Sequence, residues 1–402
     1  MNDVYAVIGK NYGDEGKGLT VDHLCTGDEK PLVIRHNGGA QSGHTVETDG
    51  KRFVFHQLSS GSFHGADTFW AGTYLPDLYK LQEEIEAFAA VGGVKPAIFC
   101  DPETQVTLVD DVLVNMALES ARGSGRHGSC GMGINEADLR GKAGFGVRAA
   151  DFLSGTATEM TKRLLEIRRE YLPKRLQEAG LTGLTGEYAE LLTMDTVIEN
   201  AVEQMMQNAE LVRIPENRRN FFLSYSRIIF ENGQGLLLDA CNEAEYPHVT
   251  ASRTGLTNPI EMIEAYNLSP LQEVIYVSRP YVTRHGAGPL AHECSFSDLG
   301  IRETDLDRTN VPNPWQGSLR YGYHPDFEGF IGPVEKDLEQ CGNGHPHRVS
   351  LMLTQLDLTG DRILMEQGPV KTGEFCDHAG IRKVFDCVYG SFHREGKVRR
   401  LR

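Results

Sequence analysis

The stretch Val7-Ile8-Gly9-Lys10-Asn11-Tyr12-Gly13-Asp14-Glu15-Gly16-Lys17-Gly18-Leu19-Thr20 constrains this chain more than any other. The apolar run before it, Val4 to Ile8, reads as a buried strand, and Leu19 to Leu24 reads as the first turns of a helix. Strand, glycine-rich turn and helix together aim backbone N–H groups and a helix N-terminus at one point, the geometry that holds a phosphate. Lys17 adds a cation there. The loop is not a Walker A motif, which needs glycine where Asn11 stands and Ser or Thr where Gly18 stands. Asp14-Glu15 is also out of place in a phosphate cradle, unless a metal intervenes or a carboxylate does proton chemistry. A tight turn with a solvated acidic pair is the competing reading.

A second stretch, Arg35-His36-Asn37-Gly38-Gly39-Ala40-Gln41-Ser42-Gly43-His44-Thr45, follows another short strand, Leu32 to Ile34. The pair resembles the N-terminal signature of the adenylosuccinate synthetases: a Gly-Asp-Glu-Gly-Lys-Gly loop, then Gly-Gly-x-x-x-Gly-His-Thr. Further matches follow in order: Glu231-Asn232-Gly233-Gln234-Gly235 with Leu238-Asp239, Tyr246 to Ser252, Thr283 to Pro289, Thr354-Gln355-Leu356-Asp357, and Gly368-Pro369. The resemblance spans nearly the whole chain.

The length of 402 residues suits one large α/β domain, residues 1–402. The net charge of -16 argues against a nucleic-acid or anionic-membrane binder, while a local cluster can still hold a nucleotide. Eight cysteines lie scattered without C-x-x-C pairs, so neither a zinc site nor a disulfide framework is indicated. There is no leader-like start and no apolar run of membrane-spanning length. A cytoplasmic protein is expected.

Strands and helices alternate through the first 121 residues. Thr48-Asp49-Gly50-Lys51 marks a hairpin, Pro76 to Val91 has a helical apolar face, Ala97 to Cys100 reads as a strand and Leu108 to Ala121 as a helix. This order implies a central, mostly parallel sheet flanked by helices. Residues 123–146 read as an irregular glycine-rich connector, Glu159 to Leu176 and Met194 to Met206 as amphipathic helices. Arg227 to Phe230, Val274 to Val277 and Val349 to Leu353 read as buried strands, each delivering a motif at its C-terminal end, where open α/β sheets bind ligands.

The resemblance implies a P-loop-NTPase-like fold and a ligase that joins L-aspartate to C6 of a 6-oxopurine nucleoside monophosphate, with Mg²⁺, nucleoside triphosphate hydrolysis and a 6-phosphoryl intermediate. It implies Asp14 as the base at N1 and His44 as the donor at O6. Gly13, Asp14, Glu15, Gly16, Lys17, Gly18, Gly43, His44, Thr45, Gln355, Asp357, Gly368 and Pro369 would bind the nucleoside triphosphate, Gln355 and Asp357 at its base. Asp14 and Gly43 would hold the metal. Asp14, Asn37, Gln41, Ser129, Cys130, Arg140, Gln234, Leu238, Thr250 and Ser252 would contact the purine monophosphate. Gln316, Gly317, Ser318, Leu319 and Arg320 would hold aspartate. The family lends a basic side chain across a homodimer interface; Gly144 occupies the counted position, so Arg140, Lys142 and Arg148 are the candidates.

Three departures touch ligand choice. Gln355 replaces the lysine of Thr-Lys-Leu-Asp, which opens the donor to ATP as well as GTP. The arginine-rich aspartate loop keeps one arginine, Arg320. Ala40-Gln41 replaces His-Asn. These changes resemble the phage PurZ-type branch, which acts on dGMP; many of that branch carry serine where this chain has Asp14. The alternatives are an enzyme acting on IMP with GTP, and a nucleotide-binding regulator without ligase activity.

Overall fold

The computed structural model describes residues 2–27, 29–123, 128–302, 317–342, 344, 346–392 and 397–402. In chain order the strands are β1 (Asp3–Gly9), β2 (Leu32–Arg35), β3 (His44–Thr48), β4 (Lys51–Phe55), β5 (Asp67–Trp70), β6 (Ile98–Cys100), β7 (Val212–Arg213), β8 (Arg227–Gly235), β9 (Leu271–Ser278), β10 (Val282–Arg284), β11 (Glu293–Cys294), β12 (Arg320–Gly322), β13 (Val349–Leu353), β14 (Arg362–Met365), β15 (Gly368–Lys371), β16 (Cys387–Ser391) and β17 (Val398–Arg400). Ten of them form one sheet in the order β17-β16-β13-β9-β1-β8-β2-β5-β6-β7. All neighbours in it run parallel except the edge pair β16–β17. The expected α/β architecture with a mostly parallel sheet is what the chain adopts.

The reason lies in the apolar runs. Val4, Ala6, Val7 and Ile8 of β1, Ile228 to Phe230 of β8 and Val274 to Val277 of β9 are fully or almost fully buried. A strand apolar on both faces needs cover on both sides, which helices supply. β1 lies at the centre, between β9 and β8. The loops after β1, β2, β8, β9 and β13 therefore emerge together at the C-terminal edge of the sheet.

The hairpin expected at Thr48 to Lys51 is β3–β4, with Thr48 opposite Lys51 and both Asp49 and Gly50 at positive φ. The first helices are α1 (Lys17–Leu24), α2 (Leu81–Ala90), α3 (Val109–Arg122) and α4 (Ile134–Arg140). The last corrects the sequence reading, which left residues 123–146 without regular structure. Glycines at each end hid it: Gly133 caps α4 in a left-handed conformation, and a wide turn, Gly141–Phe145, follows. The expected helix Glu159 to Leu176 is two helices, Ala157–Glu170 and Leu172–Glu178, the second entered through Pro173.

Candidate functional site

The loop between β1 and α1 is held from behind. Asn11 donates to Glu15 through both its backbone N and its Nδ2, each at 2.7 Å, so the Glu15 carboxylate turns into the protein and is 1% exposed. Burial raises its pKa to about 7, and burial lowers that of the neighbouring Lys10. Glu15 thus shapes the loop from inside. Gly16 caps α1 at φ 94, and a Cβ there would lie 2.7 Å from Cγ2 of Thr354. Thr354 in turn donates its hydroxyl to the Glu15 carbonyl at 2.7 Å, fixing β13's exit loop to the α1 entry. Gly13's carbonyl accepts from Thr283 Oγ1 at 3.0 Å, and Arg279 donates to the Asp14 carbonyl.

These contacts leave an open cleft of about 630 Å³ along the C-terminal edge of the sheet. Gly13, Asp14, Glu15, Gly16, Lys17, Gly18, Gln41, Gly43, His44, Thr45, Cys130, Gln234, Leu238 and Gln355 line it, drawn from loops far apart in sequence. Asp14 presents a quarter-exposed carboxylate, with His285 Nε2 3.3 Å from its Oδ2. Burial lowers the Lys17 pKa, against the pull of the carboxylates of Glu15, Asp14 and Glu231. One amide atom of Gln41, Oε1, is buried without a hydrogen-bond partner. Gln355 sits at φ 55.

His44 begins β3 and is 6% exposed. Its Nδ1 lies 2.5 Å from Oε1 of Glu231, and its Nε2 is 3.4 Å from the Gly233 carbonyl. Glu231 is wholly buried; Arg35 Nη1 stands 3.4 Å from its Oε1, and Ser60 donates through both its hydroxyl and its backbone N. Burial lowers the pKa of His44 to about 4 in this structure. Burial alone would raise that of Glu231, but Arg35, His44 and Ser60 together hold it well below the carboxylate range.

Several expected residues form a second layer. Asn37 donates Nδ2 to Gln234 Oε1 at 3.0 Å and accepts from the Gly233 N–H at 2.8 Å. Ser252 accepts from the Gly38 N–H at 2.9 Å. Thr250 donates its N–H to the Leu238 carbonyl at 2.8 Å. Ser129 exchanges hydrogen bonds with Asn115 at 2.8 and 3.1 Å.

Other expectations are corrected. Arg140 is 1% exposed and bound to Asp111, with its remaining N–H groups on the carbonyls of Phe145 and Val106. It braces α3 against α4 beside a small apolar pocket and does not reach the cleft. Lys142 pairs with Asp138 and Arg148 with Glu103 at the surface, and these two exposed groups stay the candidates for a side chain lent to a partner. Gly368-Pro369 lies in the separate hairpin β14–β15, outside the cleft lining. The neighbour of the Gln355 loop is instead the end of β16, where the Ser391 carbonyl accepts from the Leu356 N–H at 3.0 Å. That position was missed because β16 has no glycine-rich motif to mark it. Asp357 is exposed beyond the cleft lining. Arg320 is occupied: Glu293 takes its Nε and Nη2 at 2.8 and 2.5 Å, and the Gly286 and Gly288 carbonyls take Nη1. Gly317, Ser318 and Leu319 adjoin it outside the cleft lining, and Gln316 lies outside the described residues.

The sequence reading did not assign Arg35, Ser60, Glu231, Arg279 or His285 to the site. Two signals were available: Arg35, Glu231 and His285 lie inside the matched motifs, and an ionisable residue closes an apolar strand run, as Arg35 closes Leu32 to Ile34 and Glu231 closes Arg227 to Phe230.

The sequence profile of the adenylosuccinate synthetase family matches residues 6–307. The adenylosuccinate synthetase of Myxococcus xanthus is 30% identical over 400 residues, 96% of this chain and 86% of that protein. The Brevibacillus brevis enzyme is 28% identical over 289 residues, 71% of this chain and 64% of that protein. Among solved structures, a fully ligated adenylosuccinate synthetase from Plasmodium falciparum superposes with a TM-score of 0.67 at 17% identity, covering 100% of this chain and 87% of the other. The cyanophage S-2L succinoaminodeoxyadenylate synthetase (PurZ), bound to dGMP and dATP, gives 0.61 at 17% identity, covering 100% and 95%. The second pair supports the fold, and the family match over three quarters of the chain settles the lineage: this chain belongs to the adenylosuccinate synthetase family.

Proposed function

We propose that this chain joins L-aspartate to C6 of a 6-oxopurine nucleoside monophosphate at the expense of a nucleoside triphosphate. The observation that carries the reading is the convergence of Asp14, Lys17 and His44 on one cleft at the C-terminal edge of the sheet. A purine C6=O is a poor leaving group and must first be phosphorylated. Asp14 takes the N1 proton, so that O6 attacks the γ-phosphorus, the bridging P–O bond to the β-phosphate breaks and the nucleoside diphosphate leaves; His44, through Nε2, donates toward the reacting oxygen. Lys17 and the backbone N–H groups at the start of α1 stabilise the phosphates. The aspartate amine then adds to C6, phosphate leaves, and the amine proton is lost. Asp14 and Gly43 line the same cleft, and their carboxylate and carbonyl oxygens are donors of the kind Mg²⁺ takes. Bound there, Mg²⁺ would neutralise charge on the triphosphate.

The base we propose is guanine, as dGMP, with ATP accepted as donor. The Asp14 carboxylate can accept from N1–H and the adjacent 2-amino group together. Gln355 stands where the family's lysine would stack on the guanine of GTP. The cyanophage protein of similar fold was solved with dGMP. A second reading, IMP with GTP, follows from the bacterial relatives. Phosphate release with aspartate, measured for IMP, dIMP, GMP and dGMP with ATP and with GTP, decides between them. An unpaired buried polar group costs about 1–3 kcal/mol, so dGMP should exceed IMP in kcat/KM by about tenfold or more. A preference for IMP returns the chain to the IMP-using enzymes, and no release with any pair leaves a nucleotide-binding regulator.

A homodimer completes the proposal, with Lys142 or Arg148 as the basic group lent to the partner. A species sedimenting as a monomer and fully active at nanomolar concentration would remove it.

A further inference from the structure

We infer that Glu231 is a positioning residue for His44: it fixes the imidazole by its Nδ1 and so aims Nε2 into the cleft. This rests on the reading above that His44 donates in the phosphoryl transfer.

The arrangement follows from strand register. β2 and β8 run parallel with Arg35, the last residue of β2, opposite Glu231 in the middle of β8. His44 comes in from the side, at the start of β3. The three side chains meet where water does not reach, each 6% exposed or less. Nδ1 has two close neighbours, Oε1 of Glu231 at 2.5 Å and Nη1 of Arg35 at 3.1 Å. A guanidinium can only donate, and an ionised carboxylate can only accept. The shorter contact and the Ser60 hydrogen bonds on the same carboxylate assign a proton to Nδ1, donated to Glu231. Nε2 is then the ring nitrogen left to address a ligand, and it donates there once the ring takes its second proton, an imidazolium whose charge the ionised Glu231 offsets.

A buried Arg–Glu pair that served only the fold would need no histidine. Arg35 has other acceptors, Ser42 Oγ at 2.6 Å and the His56 carbonyl at 3.0 Å, so it is anchored independently. Glu231 Oε1, by contrast, is shared among His44, Ser60 and Arg35. An imidazole oriented by a carboxylate behind it is a recurring device for holding one tautomer and one ring plane.

The test is a double-variant cycle with Glu231→Gln and His44→Asn. Glu231→Gln keeps the size of the side chain but loses the acceptor-only carboxylate. It should lower kcat by about 10- to 100-fold, with KM for the purine monophosphate and for aspartate unchanged. Because Glu231 acts through His44, the double variant should be no slower than His44→Asn alone. Nitrogen-15 spectra of labelled histidine should show the Nδ1-protonated form of His44 in the parent chain and its loss in Glu231→Gln. If Glu231→Gln does not fold, Ser60→Ala, which leaves the carboxylate but frees it, carries the same cycle with a smaller drop. Multiplying losses, or a rise in both KM values with kcat intact, would overturn the inference. If His44→Asn is inactive but Glu231→Gln is normal, the inference alone fails. A fully active His44→Asn would sink the role of His44 and this inference with it.

Discussion

Asp14 holds a left-handed backbone, φ 55, which a non-glycine residue adopts at a cost and which Asn and Asp tolerate best. Asp14→Asn therefore keeps the loop while removing the base, and should lower turnover by about two orders of magnitude or more with little change in melting temperature. Asp14→Ala should lose turnover and stability together, because alanine fits that conformation less well. His44→Ala should cost a similar factor in turnover. Near-normal rates in either variant would remove that residue from the mechanism. Arg320 gives a two-sided test. If it is the aspartate clamp, Arg320→Ala raises KM for aspartate, and Glu293→Gln, which frees the guanidinium, lowers it. Unchanged KM in both would leave Arg320 a brace between β12 and the Gly286 to Gly288 turn.

The element on which the cleft depends is the β1–α1 loop, locked to β13 through Gly16 and Thr354. Gly16→Ala puts a methyl into Thr354 at a positive φ. It should cost roughly 1–3 kcal/mol and weaken triphosphate binding, seen as a lower melting temperature and a raised KM for the donor. Thr354→Ser removes the methyl that the new Cβ would strike and should recover part of the loss. Further along, Arg140 and Asp111 are a buried pair between α3 and α4. Arg140→Met should destabilise the fold by about 3–5 kcal/mol, because it leaves Asp111 charged and unpaired. The KM for the purine monophosphate should not change. A raised KM in a stable Arg140→Met variant would restore this residue to the substrate site.

Across the whole molecule, His36 and His324 are wholly buried, and burial pushes each down to about 3. In the unfolded chain they titrate near 6.5. The unfolded state therefore binds more protons between about 6.5 and 3, and the stability these groups contribute is full above 6.5 and lost as pH falls through that window. Denaturant midpoints between pH 7 and pH 5 should drop, and His324→Phe should flatten the slope by up to about 1.4 kcal/mol per pH unit. An unchanged slope would mean that His324 is protonated, or solvated, in the folded protein.

The sequence by itself determined the sheet class, because apolar runs buried on both faces leave few alternatives to a parallel sheet with helices on each side. It also determined the β1–α1 loop and Gly-His-Thr, since glycines at fixed spacing before a helix have a local reason to be there. Val349 to Leu353 is legible for the first reason and is β13 to the residue. Tertiary structure alone decided the rest of the site. Nothing local sets Glu231 behind His44, 187 residues apart; the packing of the start of β3 against β8 does. Nothing local turns Glu15 inward, commits Arg140 to Asp111 and Arg320 to Glu293, or brings Ser391 rather than Gly368 beside the Gln355 loop. Each was settled by which polar groups had to find partners once the sheet excluded water, and that is a property of the packed molecule.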